Sequence, residues 1–372
     1  MTGKRVDMFT ETGKRRICYG ATSHLQFFFS FPPFFCNMFD QVLEHNEYCC
    51  VLQTTDDNEY LILELKRYCK ERNCDTFIVS LSGGVDSMVI ASIINYIGYK
   101  VVCIHINYNN REESTQEANF LQEWTKINNI TLIYENITTF KRGTINRKVY
   151  EEETQTIRFE AYKKILKTYG NSSIILGHHD DDIIESVFMN LCKGRSILDL
   201  TVMKKECEKL GVRISRPLLG TRKYKIYEFA HKYKIPYFKD TTPLWSMRGR
   251  FRNDINPNLE KAYSGFSNNL LLISEQSDQW FLMVTSHIIE PYMKTFIYNE
   301  NTAKINIENY KKSPECFWKH VLNIVFLKYG KQVPTRKSIK GFLNSLEKDG
   351  KYVLTKDCTC FIEKSTLLLV FI

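Results

Sequence analysis

The sequence predicts an α/β fold, a parallel sheet covered by helices on both faces, followed by a smaller helical and α+β C-terminal domain. Three observations predict it. Short β-branched runs alternate with helical spacing from about residue 60 to 240. A strand, a glycine turn and a helix stand together early in that region. Beyond residue 261 the order changes to helices and then strands, the mark of an α+β segment. A chain of 372 residues has room for two such domains and a core that needs no covalent staples. The expected division is an N-terminal extension over 1–60, the parallel-sheet domain over 61–260, and the C-terminal domain over 261–372.

Strands are expected at 76–81, 100–106, 130–135 and 173–177, each a short apolar run. The first is followed by Val89, Ile90, Ile93, Ile94 and Ile97 at helical spacing, closed by Gly98. A second helix over 116–128 puts Phe120, Leu121, Trp124 and Ile127 on one face. A third over 154–169 has Ile157, Ala161 and Ile165 in step and Gly170 as its stop. In the C-terminal part, helices are expected at 270–296, 315–329 and 336–347, then strands at 351–356, 358–362 and 366–372. No internal repeat is visible.

A content of 43% apolar and 25% charged residues is that of a soluble globular protein, and the net charge of +9 favours a polyanionic partner. None of the twelve cysteines forms a C-x-x-C pair, which argues against a zinc knuckle or a dithiol redox motif. Cys103 lies in an apolar run, and Cys358 and Cys360 alternate as strand residues do. Reduced thiols packed as small hydrophobes, in a cytoplasmic protein, are the expectation. No apolar run reaches 18 residues, so no membrane helix is expected. The apolar stretch 27–35 follows several basic residues, but two prolines break it. Asp7 and Glu11 argue against an organellar presequence. Met38 stands just after it, and residues 1–37 are read as an extension.

The most informative stretch is Ser82-Gly83-Gly84-Val85-Asp86-Ser87, between the first strand and its helix. Two glycines let backbone N–H groups converge on an anion, and the helix N-terminus adds positive partial charge. Ser82 and Ser87 offer hydroxyl donors to the same phosphate. Asp86 suits a divalent metal that accompanies a nucleotide. No G-x-x-x-x-G-K-[ST] motif occurs, which argues against kinase-like or GTPase-like use of a γ-phosphate.

The second constellation is Gly177-His178-His179-Asp180-Asp181-Asp182-Ile183-Ile184-Glu185, with apolar residues that mark a helix from its acidic start. Asp181 and Glu185 are four apart and Asp182 and Glu185 three apart, so these carboxylates can share a face. Acids at a helix start also offset the helix dipole, which explains one or two of them. Two histidines and four acids at the mouth of a strand fit a metal-assisted or general-base site better. A third feature is the basic segment 222–252, where nine Lys and Arg face Glu228 and Asp240 and aromatics interleave. It is either a solvated face or a surface that tracks phosphates and stacks bases.

Taken in order, these motifs resemble the tRNA(Ile)-lysidine synthetases, a family of N-type ATP pyrophosphatases (PP-loop superfamily). The residues that carry the resemblance are Ser82–Ser87, His105-x-Asn107, Arg111-Glu112-Glu113-Ser114, Arg158-Phe159-Glu160-Ala161 and His178-His179-x-Asp181-Asp182-x-x-Glu185. Arg216-Pro217-Leu218-Leu219, Ile235–Asp240 and Arg248-x-Arg250-Phe251-Arg252-Asn253 continue it. It covers roughly residues 60–372 and is weaker after the arginine-rich motif. Such enzymes use ATP to adenylate the wobble cytidine of an isoleucine tRNA, and free lysine then displaces AMP. The resemblance implies an adenine-nucleotide α-hydrolase-like fold, with ATP, magnesium, tRNA and free lysine as ligands.

It also implies roles. Ser82, Gly83, Gly84, Val85, Asp86 and Ser87 would hold the pyrophosphate, with Asp86 acting through magnesium. His105, Gly177 and His178 would flank the adenosine, and Arg111 would neutralise developing phosphate charge. Asp181 and Glu185 would position the cytidine or lysine and take up a proton. Arg248, Arg250 and Arg252 would contact tRNA. Where the family reads His-Gly-Leu before the arginine, this chain has Tyr108-Asn109-Asn110, and it is expected to stop before the second C-terminal domain of longer members. The alternatives are a tRNA thiolation enzyme, against which the missing C-x-x-C pairs speak, a small-molecule ligase of the same loop class, and a tRNA-binding relative without catalysis.

Overall fold

The computed structural model describes residues 28–29, 48–49, 51–52, 56–109, 114–137, 146–170, 172–201, 203–240 and 242–372. These fall into two compact units, one within Met1–Asp180 and Lys204–Thr242, the other within Asp181–Met203 and Pro243–Ile372.

In the first unit, β1 (Phe28–Phe29) and β2 (Tyr48–Cys49) form a short antiparallel ladder. The unit is built on a six-stranded sheet of β3 (Thr76–Ser80), β4 (Lys100–Asn107), β5 (Thr131–Asn136), β6 (Ile174–Ile175), β7 (Glu206–Lys209) and β8 (Val212–Ser215). Its order is β5-β4-β3-β6-β8-β7, parallel throughout except for the β7–β8 hairpin at one edge. Both faces are buried, as the continuous apolar runs require. Phe77 and Val79 of β3 join one core while Ile78 joins the other, and Val101 and Cys103 oppose Val102 and Ile104 in the same way. One face is covered by α1 (Tyr60–Arg72), α2 (Val85–Tyr96), α3 (Ser114–Ile127) and α6 (Lys223–Lys232), whose apolar residues share one core. The other carries α4 (Arg147–Tyr169), through Phe159, Tyr162 and Ile165.

Helix α2 is the most deeply buried of these. Every residue from Met88 to Ile94 is buried, so its apolar character runs all round rather than along one stripe. The chain turns from β3 into α2 at the point where the sheet order reverses direction. In open α/β sheets that is where ligands bind, beyond the carboxyl ends of the strands.

In the second unit, α5 (Asp180–Cys192, its first residue in the first unit) packs Ile184 and Val187 against Phe251 and Leu270. Phe251 opens a π-helical turn, Phe251–Ile255, between α7 (Met247–Arg250) and α8 (Asn256–Ala262). Next come α9 (Phe266–Val284) and α10 (Glu290–Met293), with a second π turn between them. A five-stranded antiparallel sheet completes the unit, in the order β11-β12-β13-β10-β9. Its strands are β9 (Ile297–Tyr298), β10 (Thr302–Asn306), β11 (Gly350–Thr355), β12 (Cys358–Glu363) and β13 (Thr366–Phe371). Helices α11 (Glu315–Lys328) and α12 (Arg336–Ser345) pack into the same core. Cys358 and Cys360 are buried free thiols in that core, and burial pushes both well up, to about 12 and about 11. No described helix is long and apolar enough to cross a membrane.

Trp318 of α11 is fully buried, meets Phe342 edge-on and donates its indole N–H to the Tyr310 carbonyl. Replacing it with alanine removes the largest side chain of the C-terminal core. Trp318→Ala should lower the stability of this unit by about 3–5 kcal/mol, read by chemical denaturation, whereas replacing the exposed Trp280 should change it little.

Candidate functional site

The candidate phosphate loop sits where the sequence places it. β3 ends at Ser80, and α2 begins at Val85 with Gly84 as its N-cap, without a side-chain cap. The N–H groups of the first helical turn have no intrahelical acceptor and can face an anion. Ser82 and Ser87 are joined. Their hydroxyls are 3.2 Å apart, Ser82 N–H donates to Ser87 Oγ, and Ser87 Oγ–H donates to the Gly84 carbonyl at 3.0 Å. Gly83 has a φ of +81°, and a Cβ there would come within 2.3 Å of the Phe238 ring. Phe238 also donates its N–H to the Gly83 carbonyl at 2.8 Å. The Ile235–Asp240 motif is thus the wall behind the loop.

Asp86 is bound by a residue that sequence reasoning counted in the basic segment and did not place at this site. Lys223 Nζ, at the start of α6, lies 2.7 Å from both carboxylate oxygens. His179 Nε2 lies 3.8 Å from Asp86 Oδ1, and Gly177 packs against the Asp86 side chain with no room for a Cβ between. Nothing local separates Lys223 from its basic neighbours, because the pairing spans 137 residues of chain. Among the described residues no group of three or more His, Cys, Asp or Glu could hold a metal. One carboxylate at the loop fits magnesium that takes its other ligands from nucleotide phosphates and water, and fits a resident ion poorly.

Two histidines flank the same unit. His105 is buried in β4, with Nδ1 2.7 Å from the Leu81 carbonyl and its ring stacked on Tyr134. Burial holds its imidazole below the ordinary value, the Leu81 hydrogen bond opposing by less. The neutral ring therefore donates Nδ1–H to Leu81 and keeps Nε2 as an acceptor. His178 Nδ1 accepts from Arg216 Nε at 3.2 Å. Arg216 is itself buried and donates to the Lys204 carbonyl and Cys207 Sγ, which fixes the His178 ring. The Tyr108-Asn109-Asn110 departure also has a physical reading. Asn109 has a φ of 47°, the left-handed region where glycine is at ease and asparagine is the next best residue. Its side chain replaces lost freedom with a hydrogen bond to the Ile137 carbonyl. Arg111 lies outside the described residues.

In the second unit the acidic helix and the arginine motif meet. Arg248 Nε donates to Glu185 Oε1 at 2.6 Å and Arg252 Nε to Glu185 Oε2 at 2.8 Å. Arg252 Nη2 also reaches Asp182 Oδ1 at 2.9 Å. Glu185 and Asp182 are buried, so two guanidiniums neutralise two carboxylates that burial would otherwise penalise. The Asp of this network is Asp182, three residues before Glu185. Asp181 lies half-buried one residue earlier. Arg250 is exposed, on another side of the same helical turn.

A family model described as the PP-loop domain matches residues 38–259. A tRNA(Ile)-lysidine synthase of Enterococcus faecalis is 29% identical over 207 residues, 54% of this chain and 44% of its own. The Mycoplasma genitalium tRNA(Ile)-lysidine synthase is 30% identical over 190 residues, 50% of this chain and 61% of its own. Among solved structures, the U34-tRNA thiolase NcsA of Methanococcus maripaludis with its 4Fe-4S cluster is 20% identical. It covers 61% of this chain and 80% of its own, at a TM-score of 0.46. The chain belongs to the PP-loop family of ATP-binding domains, and the two curated relatives above are tRNA(Ile)-lysidine synthases. It spans about 40 to 61% of the length of the curated relatives it matches.

The geometry has three testable consequences. Gly83→Ala should abolish nucleotide binding, measured by calorimetry, because the added methyl meets Phe238 at a strained φ. Arg252→Gln should cost about 1–3 kcal/mol by leaving buried carboxylates short of a donor. Glu185→Gln in the same chain should recover part of that loss, and Arg250→Gln alone should change stability little. The lowered His105 value means that the unfolded chain binds its proton first as pH falls. Its stabilising contribution is complete above 6.5 and is lost as pH falls from there through the lowered value. His105→Gln should flatten the fall of the melting temperature over that window.

Proposed function

We propose that the chain ligates free lysine to the wobble cytidine of an isoleucine tRNA, consuming ATP and releasing AMP and pyrophosphate. The observation that carries this reading is the phosphate loop. Its joined serine hydroxyls and first-turn N–H groups stand at the start of buried α2, in a chain whose curated relatives are tRNA(Ile)-lysidine synthases.

In the first step the cytidine O2 attacks the α-phosphate, and the bond to the β-phosphate breaks. Ser82, Ser87 and the N–H groups of residues 83–87 take the leaving pyrophosphate, where negative charge accumulates. Lys223 is the counter-charge at that end. Once phosphate oxygens arrive, its ammonium can bridge them and Asp86. Magnesium held through Asp86 would supply further charge neutralisation at the phosphates. Neutral His105, with Gly177 and His178, borders the adenosine, and Arg111 meets the α-phosphate.

In the second step the ε-amino nitrogen of lysine attacks C2. The C2–O2 bond breaks, AMP leaves, and the nitrogen gives up its protons. An ammonium cannot attack, so a base must take a proton first. We assign that work to the acidic helix, with Glu185 and Asp181, and add Asp182 as the residue that orients Arg252. Arg248 and Arg252 hold Glu185 in one rotamer, and Arg250 is the arginine of the three available to RNA phosphate. Residues 61–260 would carry the chemistry and 261–372 would add RNA contact, in a cytoplasmic enzyme.

ATP–pyrophosphate exchange with and without tRNA tests the first step, and mass spectrometry of the modified nucleoside tests the product. Asp86→Asn should abolish exchange in a folded protein. Glu185→Gln should leave ATP affinity near normal and slow ligation by roughly 100-fold or more. A thiolated nucleoside, or exchange that needs no RNA, would overturn the assignment.

A further inference from the structure

The basic segment 222–252 is rich in aromatics, and the structure sorts them. Tyr237, Phe238 and Phe251 are core residues, and Tyr227 and Tyr233 pack against the core. Tyr224, at 55%, and Trp245 do neither, and Trp245 is 67% exposed between Leu244 at 71% and Met247 at 54%. A lone exposed leucine needs no explanation, but three large apolar residues exposed together at the entry to a short helix do.

Their presentation is rigid. Ser246 N–H donates to the Pro243 carbonyl at 2.9 Å, which closes a turn with Leu244 and Trp245 at its two corners. Ser246 then caps α7, accepting from Gly249 N–H at 3.0 Å. The turn folds back onto the helix so closely that a Cβ on Gly249 would lie 2.2 Å from the Pro243 oxygen. Turn corners ordinarily go to Gly, Asn, Asp, Ser or Pro. Here they go to leucine and tryptophan, and the backbone is fixed with both exposed. The next charged residues along the chain are Arg248, bound to Glu185, and exposed Arg250.

We propose that Trp245 is a stacking platform for one unpaired base of the RNA substrate, with Leu244 and Met247 as its apolar margins. The occupant is single-stranded RNA because exposed Arg250 follows the turn in the same unit and the chain's net charge of +9 favours a polyanion. An exposed indole on a hydrogen-bonded turn, with a cation a few residues on, is what binds a base and its phosphate together. The inference rests on the function proposed above and adds a specificity element outside the motifs that carry the resemblance, since Trp245 precedes the arginine motif.

The test is binding of an anticodon stem–loop RNA with cytidine at the wobble position, over a range of salt. Trp245→Ala should weaken binding by roughly 5- to 150-fold, the span for one base–aromatic stack, with the salt slope unchanged. Trp245→Phe should recover most of the loss. Arg250→Gln should instead lower the slope of log affinity against log salt by about 1. Trp124 and Trp318 are buried, so in a Trp280→Phe background the RNA should quench emission that Trp245 supplies. Equal affinity of Trp245→Ala and wild type overturns the platform and leaves the function standing. So does a change from dimer to monomer in sedimentation without loss of RNA affinity, which would make the turn a contact between copies. A wild-type protein that binds no RNA overturns the function and the platform together.

Discussion

A phosphate cradle made of backbone works only if the protein leaves its N–H groups unpaired, and unpaired donors keep their arrangement only if everything behind them is fixed. The first unit is organised around that constraint. Helix α2 leaves its first-turn N–H groups without intrahelical acceptors and buries every residue from Met88 to Ile94, so the loop cannot relax by moving the helix. The Phe238 ring and backbone close one side of Gly83, and Gly177 packs against Asp86 further along the loop. The parallel sheet brings Gly177 and the loop together, because Gly177 lies just beyond β6 and the loop just beyond β3, its neighbour in the sheet. An antiparallel arrangement would send those ends in opposite directions.

A second constraint is electrostatic. Both units carry carboxylates away from bulk water, and each is compensated by a cation distant in sequence. Asp86 takes Lys223, and Glu185 and Asp182 take Arg248 and Arg252. Pairs of this sort add little to stability once desolvation is counted, yet breaking one leaves a charge without a partner. Their value is in orientation. A lysine that grips both oxygens of Asp86 holds that carboxylate in one rotamer, and a carboxylate held by two guanidinium Nε–H groups has its two oxygens assigned. Positioning of this kind is what the proposed adenylation and amine attack would use, since both steps are limited by geometry and by where charge can rest.

The sequence announced what is local and period-bound. The edges of β3, β4, β5, α11 and β13 fall within about two residues of expectation, because β-branched runs and glycine stops are local signals. The elements not foreseen have identifiable reasons. Helix α1 starts without a side-chain cap and mixes charges through its apolar stripe. The β7–β8 hairpin turns at Leu210 and Gly211, both with positive φ, where asparagine or aspartate would have announced the turn. The short β9 and β10 belong to a sheet completed by β13, some 60 residues away. The candidate site divides the same way. The Ser82–Ser87 loop and the acidic helix were legible as motifs. The pairings made by Lys223, Arg216 and Phe238 were not, because only the tertiary fold brings residues that far apart together.

The arginine motif shows why charge counted along a sequence says little about charge offered to a partner. Three arginines within five residues read as a basic patch, yet two of them are spent on Glu185 and Asp182. That leaves Arg250 for a polyanion at this point, about one phosphate's worth of counterion release. Under the proposed function, affinity for a folded RNA would then come from elsewhere, and a mechanism that works on one base has to extract that base from its neighbours. Stacking is sequence-tolerant, survives high salt and replaces the neighbour that the base has lost. An exposed indole at the corner of a hydrogen-bonded turn, just ahead of Arg250 in the chain, would supply it where the electrostatic contribution is smallest.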